Sequence, residues 1–135
     1  MKIDGGCHCG YLKFEAEVDP ADTIICHCTD CQSLSGSAFN VVVPTLQGTF
    51  RFTAGEPSIY VKTADSGNRR AQAFCPRCGT RIYSAPDGGT SGFFGLRVGA
   101  IRQRAELVPR QQIWSISAQP WVNEIASIDS LQTED

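Results

Sequence analysis

The sequence predicts a mainly β protein with many short strands and little helix. Three observations carry that prediction. Leu12, Phe14, Ala16 and Val18 alternate with Lys13, Glu15 and Glu17, the period of a strand with one buried face. No segment holds a 3.6-residue apolar period for more than about two turns. Turn-forming clusters such as Asp19-Pro20-Ala21-Asp22 and Gly55-Glu56-Pro57 interrupt the chain at short intervals.

The elements follow in order. Tyr11 to Val18 is the clearest strand, closed by the Asp19–Asp22 turn. Thr23-Ile24-Ile25 is a short strand running into a cysteine cluster. Thr29 or Asp30 caps a brief helix through Leu34 that Gly36 ends. Ala38 to Val43 and Thr49 to Thr53 read as strands joined around Gly48. Ser58 to Lys62 is another, and Gln72-Ala73-Phe74 runs extended into Cys75. Thr80 to Ser84 follows, closed by Pro86-Asp87-Gly88-Gly89, and Phe93 to Val98 is the last strand expected.

Composition sets the boundaries of function. At 135 residues the chain is sized for one domain. Lys plus Arg number 12 against 14 Asp plus Glu, a formal charge of -2, so no basic face for nucleic acid is expected. No apolar run approaches the roughly 20 residues of a membrane-spanning helix. Met1 to Gly6 lacks the apolar stretch of a signal peptide, so a cytoplasmic protein with reduced thiols is expected.

The chemistry lies in seven cysteines, grouped as Cys7-His8-Cys9, Cys26-His27-Cys28-Thr29-Asp30-Cys31 and Cys75-Pro76-Arg77-Cys78. An odd number leaves a pure disulfide framework incomplete. In an extended segment each C-x-C turns two sulfurs to one side. The C-x-x-C closes a tight turn. Tetrahedral zinc takes four such ligands, so a C-x-C with the C-x-x-C makes a closed four-sulfur site. The C-x-C-x-x-C then makes a three-sulfur site with a coordination position open for catalysis or substrate. Other readings stay open. One is an iron–sulfur cluster, although the spacings match neither common ferredoxin pattern. Another is a lone four-sulfur zinc beside three inert thiols. A third has Cys26, Cys28 and Cys31 recruiting Cys75 or Cys78, which leaves Cys7 and Cys9 short of partners.

On a strand, His8 and His27 point away from the flanking sulfurs and read as surface or supporting side chains. His27, bordering the open site, is the candidate for proton transfer. Arg69, Arg70, Arg77 and Arg81 bracket the C-x-x-C, and Arg70 and Arg77 are candidates for holding an anionic substrate by its carboxylates.

These motifs resemble the glutathione-dependent formaldehyde-activating enzyme family, to which the centromere protein V domain also belongs. The resemblance rests on Gly6-Cys7-His8-Cys9-Gly10, the Cys26–Cys31 cluster, Gly36-Ser37-Ala38-Phe39 and Phe74-Cys75-Pro76-Arg77-Cys78-Gly79-Thr80, in that order. Ile113-Trp114 and Pro120-Trp121 match a C-terminal signature, so the similarity runs from about residue 3 to Trp121. It implies one zinc-binding β-tent domain across residues 1–135, made of antiparallel sheets. It implies a structural zinc on Cys7, Cys9, Cys75 and Cys78, and a second zinc, catalytic or loosely held, on Cys26, Cys28 and Cys31. The family's named activity is carbon–sulfur lyase chemistry, joining formaldehyde and glutathione in S-(hydroxymethyl)glutathione. The chain departs from the family pattern at Gly99-Ala100-Ile101-Arg102-Gln103-Arg104, which lacks an Asp-Asp-Pro, and at Gln112, where a histidine is common. The expected partner is a small thiol, glutathione or similar. A thiol-binding module without catalysis and a structural zinc domain docking a protein are the alternative functions.

Overall fold

Strand alternation and turn glycines place the residues in two sheets, mainly antiparallel, with one short α-helix among the described residues. The structure, a computed structural model, describes residues 1–88 and 93–134. The smaller sheet joins β1 (Lys2–Gly6), β2 (Lys13–Glu17) and β5 (Arg51–Ala54) in the order β1-β2-β5. The larger adds β3 (Ile24–Cys26), β4 (Asn40–Pro44), β6 (Ser58–Thr63), β7 (Arg69–Phe74), β8 (Arg81–Pro86), β9 (Gly95–Arg97) and β10 (Gln111–Ile113). Its order is β10-β3-β4-β9-β8-β7-β6, antiparallel throughout except that β10 runs parallel to β3. Among the described residues no helix is long and apolar enough to cross a membrane.

The alternating residues of the expected first strand behave as their pattern dictates. Leu12, Phe14, Ala16 and Val18 are buried, and Phe14 is 1% exposed. They form the core with Ile3 of β1, Val43, Ala73, Ile82 and Leu96 of the larger sheet, and Ile101 and Leu107 beyond it. Phe50 links the two sheets, its ring centroid 5.6 Å from Phe14, 5.4 Å from Tyr83 and 4.8 Å from Phe94. Tilted and edge-on pairs at such spacings add to area burial, by about 0.5–1.5 kcal/mol each.

Several elements differ from expectation for physical reasons. The strands on either side of Gly48 do not pair: β4 stays in the larger sheet while β5 crosses to the smaller one. There Phe52 takes Phe14 as its cross-strand neighbour, so an aromatic pair decides the partner. β1 was not expected, because Gly5-Gly6 carries no apolar signal. Glycine is needed there: a Cβ on Gly5 would run into the carbonyl oxygen of Ala100, and one on Gly6 into that of Leu12. β10 has three residues, two of them Gln, and exists because β3 offers it a ladder. Val98 leaves its strand for a 3-10 turn over Val98–Ala100. Gly89, the last residue of the expected Pro86–Gly89 turn, lies outside the described residues.

Register also defines a second face of the larger sheet. Ala73, Tyr83 and Leu96 follow one another across β7, β8 and β9 toward the core. Gln72, its cross-strand partner Ser84, and Arg97 therefore point the other way, as do the paired Cys26 and Asn40. The helix α1 (Thr29–Ser35) lies on that side, tied to β6 by Asp30 and Lys62 at 2.8 Å.

Candidate metal centres

The Cys7-His8-Cys9 segment is a turn rather than the extended strand expected of it. The chain must reverse between β1 and β2. Cys7 N–H donates to the Leu12 carbonyl at 3.1 Å and Gly10 N–H to that of Cys7 at 3.1 Å. Leu12 N–H donates to Cys7 Sγ at 3.1 Å, a contact that favours a thiolate. The partner knuckle starts at Cys75, whose carbonyl accepts from Gly79 N–H at 2.9 Å, and Gly79 takes a left-handed φ of 80°. The Thr80 hydroxyl joins the two turns, accepting from His8 N–H at 3.0 Å and lying 3.2 Å from Cys78 Sγ.

The sulfurs of Cys7, Cys9, Cys75 and Cys78 all lie within 4.8 Å of one another. Cys7 and Cys9 are 3.6 Å apart, and Cys9 and Cys75 are 3.8 Å apart. A tetrahedron of Zn–S bonds of about 2.3 Å has edges of about 3.8 Å. The donor set and its spacing therefore fit zinc. Thr80, through its hydroxyl and then its amide, holds the Cys78 thiol well below its ordinary range, at about 5, which readies it as a ligand. With Cys75 and Cys78 committed to Cys7 and Cys9, the middle trio does not recruit them.

The second cluster is Cys26, Cys28 and Cys31, again with all sulfurs within 4.8 Å. Cys26 ends β3 and is 7% exposed, while Cys31 sits in the first turn of α1. The helix cap is Cys28, not Thr29 or Asp30: its Sγ accepts from Cys31 N–H at 3.2 Å. Asp30 is turned to Lys62 instead. Gly36 ends the helix in the left-handed conformation, as expected. The hydrogen bond from Cys31 lowers the Cys26 thiol, and the same contact, with burial, raises Cys31. Burial raises Cys28. Among the described residues no further His, Cys, Asp or Glu joins this set.

His8 is exposed and His27 is fully buried. His27 Nε2 is 2.7 Å from Gln112 Oε1, its ring meets Phe39 edge-on at 5.6 Å, and its Nδ1 is buried without a partner. Gln112, at the position where the family commonly has a histidine, is thus the polar neighbour of His27. Arg77 is exposed on the four-sulfur knuckle, its guanidinium 3.9 Å over the Tyr11 ring. Arg69 pairs with Asp87 at 2.9 Å. Arg70 instead donates to Ser84 Oγ at 3.1 Å on the second sheet face.

Sequence reasoning missed Arg97. It donates to Gln72 Oε1 at 3.1 Å, beside Arg81, which donates to the same oxygen at 3.3 Å. Its signal was present: a lone charge inside the apolar run Phe93-Phe94-Gly95-Leu96-Arg97-Val98. Trp114, singled out by sequence only as part of the C-terminal signature, lines a cleft of about 450 Å³ with Cys28, Lys62 and Ser117. Trp114 has a left-handed backbone, φ 55° and ψ 36°, strain that sites more often hold than cores.

The comparisons agree with this geometry. A protein from Rhodobacter sphaeroides, solved by crystallography in the Northeast Structural Genomics effort, has the same fold. It matches with a TM-score of 0.62 at 18% identity, over 81% of this chain and 98% of its own. The sequence profile described as glutathione-dependent formaldehyde-activating enzyme matches residues 2–117, most of the chain and both cysteine clusters. The chain therefore belongs to the glutathione-dependent formaldehyde-activating enzyme family.

Proposed function

We propose that this protein binds two zinc ions and uses the second in carbon–sulfur bond formation or cleavage. The substrates are a small thiol such as glutathione and formaldehyde or a related aldehyde. The observation that carries the reading is the contrast between four sulfurs at one cluster and three at the other. A zinc held by three thiolates keeps a position for a substrate thiolate or carbonyl oxygen and supplies Lewis acidity there.

The chain's own residues then do the following. Cys26, Cys28 and Cys31 would hold the ion. Cys28 also fixes the start of α1, so the helix and the trio are positioned together. Trp114 and Lys62 border the cleft that reaches Cys28. His27, buried against Gln112, orients the backbone between Cys26 and Cys28, and we assign it this positioning role in place of proton transfer. Arg70 is kept as a substrate residue, and Arg77 is assigned to the knuckle through Tyr11.

The test is exchange spectroscopy by NMR between formaldehyde hydrate and the hydroxymethyl adduct of glutathione. Zinc-replete protein should raise the exchange rate above the uncatalysed one, and Cys31→Ser should abolish the increase. Exchange that the zinc-replete protein leaves unchanged refutes catalysis. Calorimetric binding of glutathione without rate enhancement would instead identify a thiol-binding module.

A further inference from the structure

Three adjacent strands, β7, β8 and β9, each contribute one arginine to the second sheet face. Arg81 and Arg97 both donate to Gln72 Oε1, at 3.3 and 3.1 Å. Arg70 donates to Ser84 Oγ at 3.1 Å, and that hydroxyl also accepts from Gln72 Nε2 at 3.0 Å. Gln72 is 1% exposed and Ser84 8%. Burial holds all three guanidinium pKa values below the usual arginine range.

Buried positive charge of this kind is normally met by carboxylates. Among the described residues none is supplied. The ion pairs among the described residues are Arg51–Glu15, Lys62–Asp30, Arg69–Asp87 and Arg102–Asp4. Gln72 and Ser84 offer dipoles but no charge. Each guanidinium carries five N–H donors, and the hydrogen bonds found here occupy a small part of them.

The cluster borders the three-cysteine site. Arg97 pairs with Val42 of β4, and two residues along that strand on the same face Asn40 pairs with Cys26. On the same face Asn40 is buried, 8% exposed. The charge count agrees. Zinc with three thiolates is singly negative, and a bound substrate thiolate makes it doubly negative. Three guanidiniums exceed that by one charge, the charge of a carboxylate.

We propose that Arg70, Arg81 and Arg97 form an anion subsite for a carboxylate on the same small molecule whose sulfur reaches the Cys26–Cys28–Cys31 site. The substrate class is a mercaptocarboxylate with one carboxylate close to its thiol, and a short one such as 3-mercaptopropionate suffices. This inference rests on the thiol-binding reading above. It adds that the carboxylate beside the sulfur, rather than the rest of the molecule, is what the protein recognises.

The test is calorimetry on zinc-replete protein with 3-mercaptopropionate, 2-mercaptoethanol and propionate. The acidic thiol should bind roughly ten-fold or more tighter than the neutral one, the range of a charge-assisted contact. Arg97→Gln should erase that preference while both zinc equivalents and 2-mercaptoethanol affinity persist. Arg51→Gln, on the far sheet, should keep it. Arg81→Gln serves the same purpose should Arg97→Gln fail to fold. Equal affinity for both thiols overturns the subsite and leaves the thiol reading standing. Propionate binding that depends on Arg97, with S-methylation of the acidic thiol making no difference, overturns the thiol reading and with it the claim that one molecule spans both sites.

Discussion

A metal that ties distant parts of a chain stabilises it differently from one that ties neighbours, and the two clusters separate these cases. Cys9 and Cys75 stand 66 residues apart. Closing a loop of that length in the unfolded chain costs about 4 kcal/mol by the relation used for disulfide cross-links. The trio spans only residues 26–31, for which the same relation gives about 2 kcal/mol. The perturbations are Cys9→Ser and Cys28→Ser in zinc-replete protein. Cys9 is exposed, so its replacement removes a ligand and little packing. Serine at position 28 keeps an oxygen to accept from the Cys31 amide, so α1 retains its cap. Cys9→Ser should lower stability by at least about 4 kcal/mol and Tm by roughly 15 °C. Cys28→Ser should cost about 2 kcal/mol or less. Urea unfolding with metal counted on each folded sample is the assay, each variant having lost a single zinc equivalent. Equal destabilisation by the two would refute the assignment of the four-sulfur site as the long-range tie.

Three further outcomes follow from particular side chains. Phe14→Ala removes a fully buried ring that meets Phe50 and should cost about 3–5 kcal/mol by thermal unfolding; a loss under 1 kcal/mol would mean that the two sheets pack otherwise. Arg102, then Gln103, hold the Asp4 carboxyl below its ordinary value of 3.8, so the stability this pair provides is present above that value and disappears as pH falls through the lower folded one. Arg102→Ala should therefore bring acid unfolding to higher pH, and an unchanged acid midpoint counts against the pair. Trp114→Gly relieves a left-handed backbone worth about 1–2 kcal/mol and loses little burial, the ring being 59% exposed. It should keep or raise Tm while weakening thiol binding, and a fall beyond about 5 °C would place the ring in a structural role instead.

The division of the cysteines was legible because spacing restricts which sulfurs can meet: a C-x-x-C turn and a C-x-C are short, rigid ligand pairs. Leu12 to Val18 was legible because alternation survives folding when one face is buried. What escaped was non-local. Nothing in Lys2–Gly6 marks a strand until Ala100 and Leu12 close against its glycines. Nothing near Gly48 says that the chain changes sheets, since Phe52 finds Phe14 only in three dimensions. Cys28 as helix cap was hidden by the better intrinsic capping of Thr29 and Asp30. Arg97 looked like a strand residue, and only the register that sets it beside Arg81 and Gln72 shows otherwise.

The placement of the indoles has a practical consequence for spectroscopy. Both tryptophans, Trp114 and Trp121, belong to the segment after β10 and are about half exposed, at 59% and 48%. The interior between the sheets holds phenylalanines and Tyr83 in their stead. Emission excited at the red edge will therefore follow the C-terminal segment and the cleft beside Cys28 more than the interior between the sheets. Quenching by a ligand and loss of the fold can then be recorded as separate signals, fluorescence for the first and far-ultraviolet circular dichroism for the second.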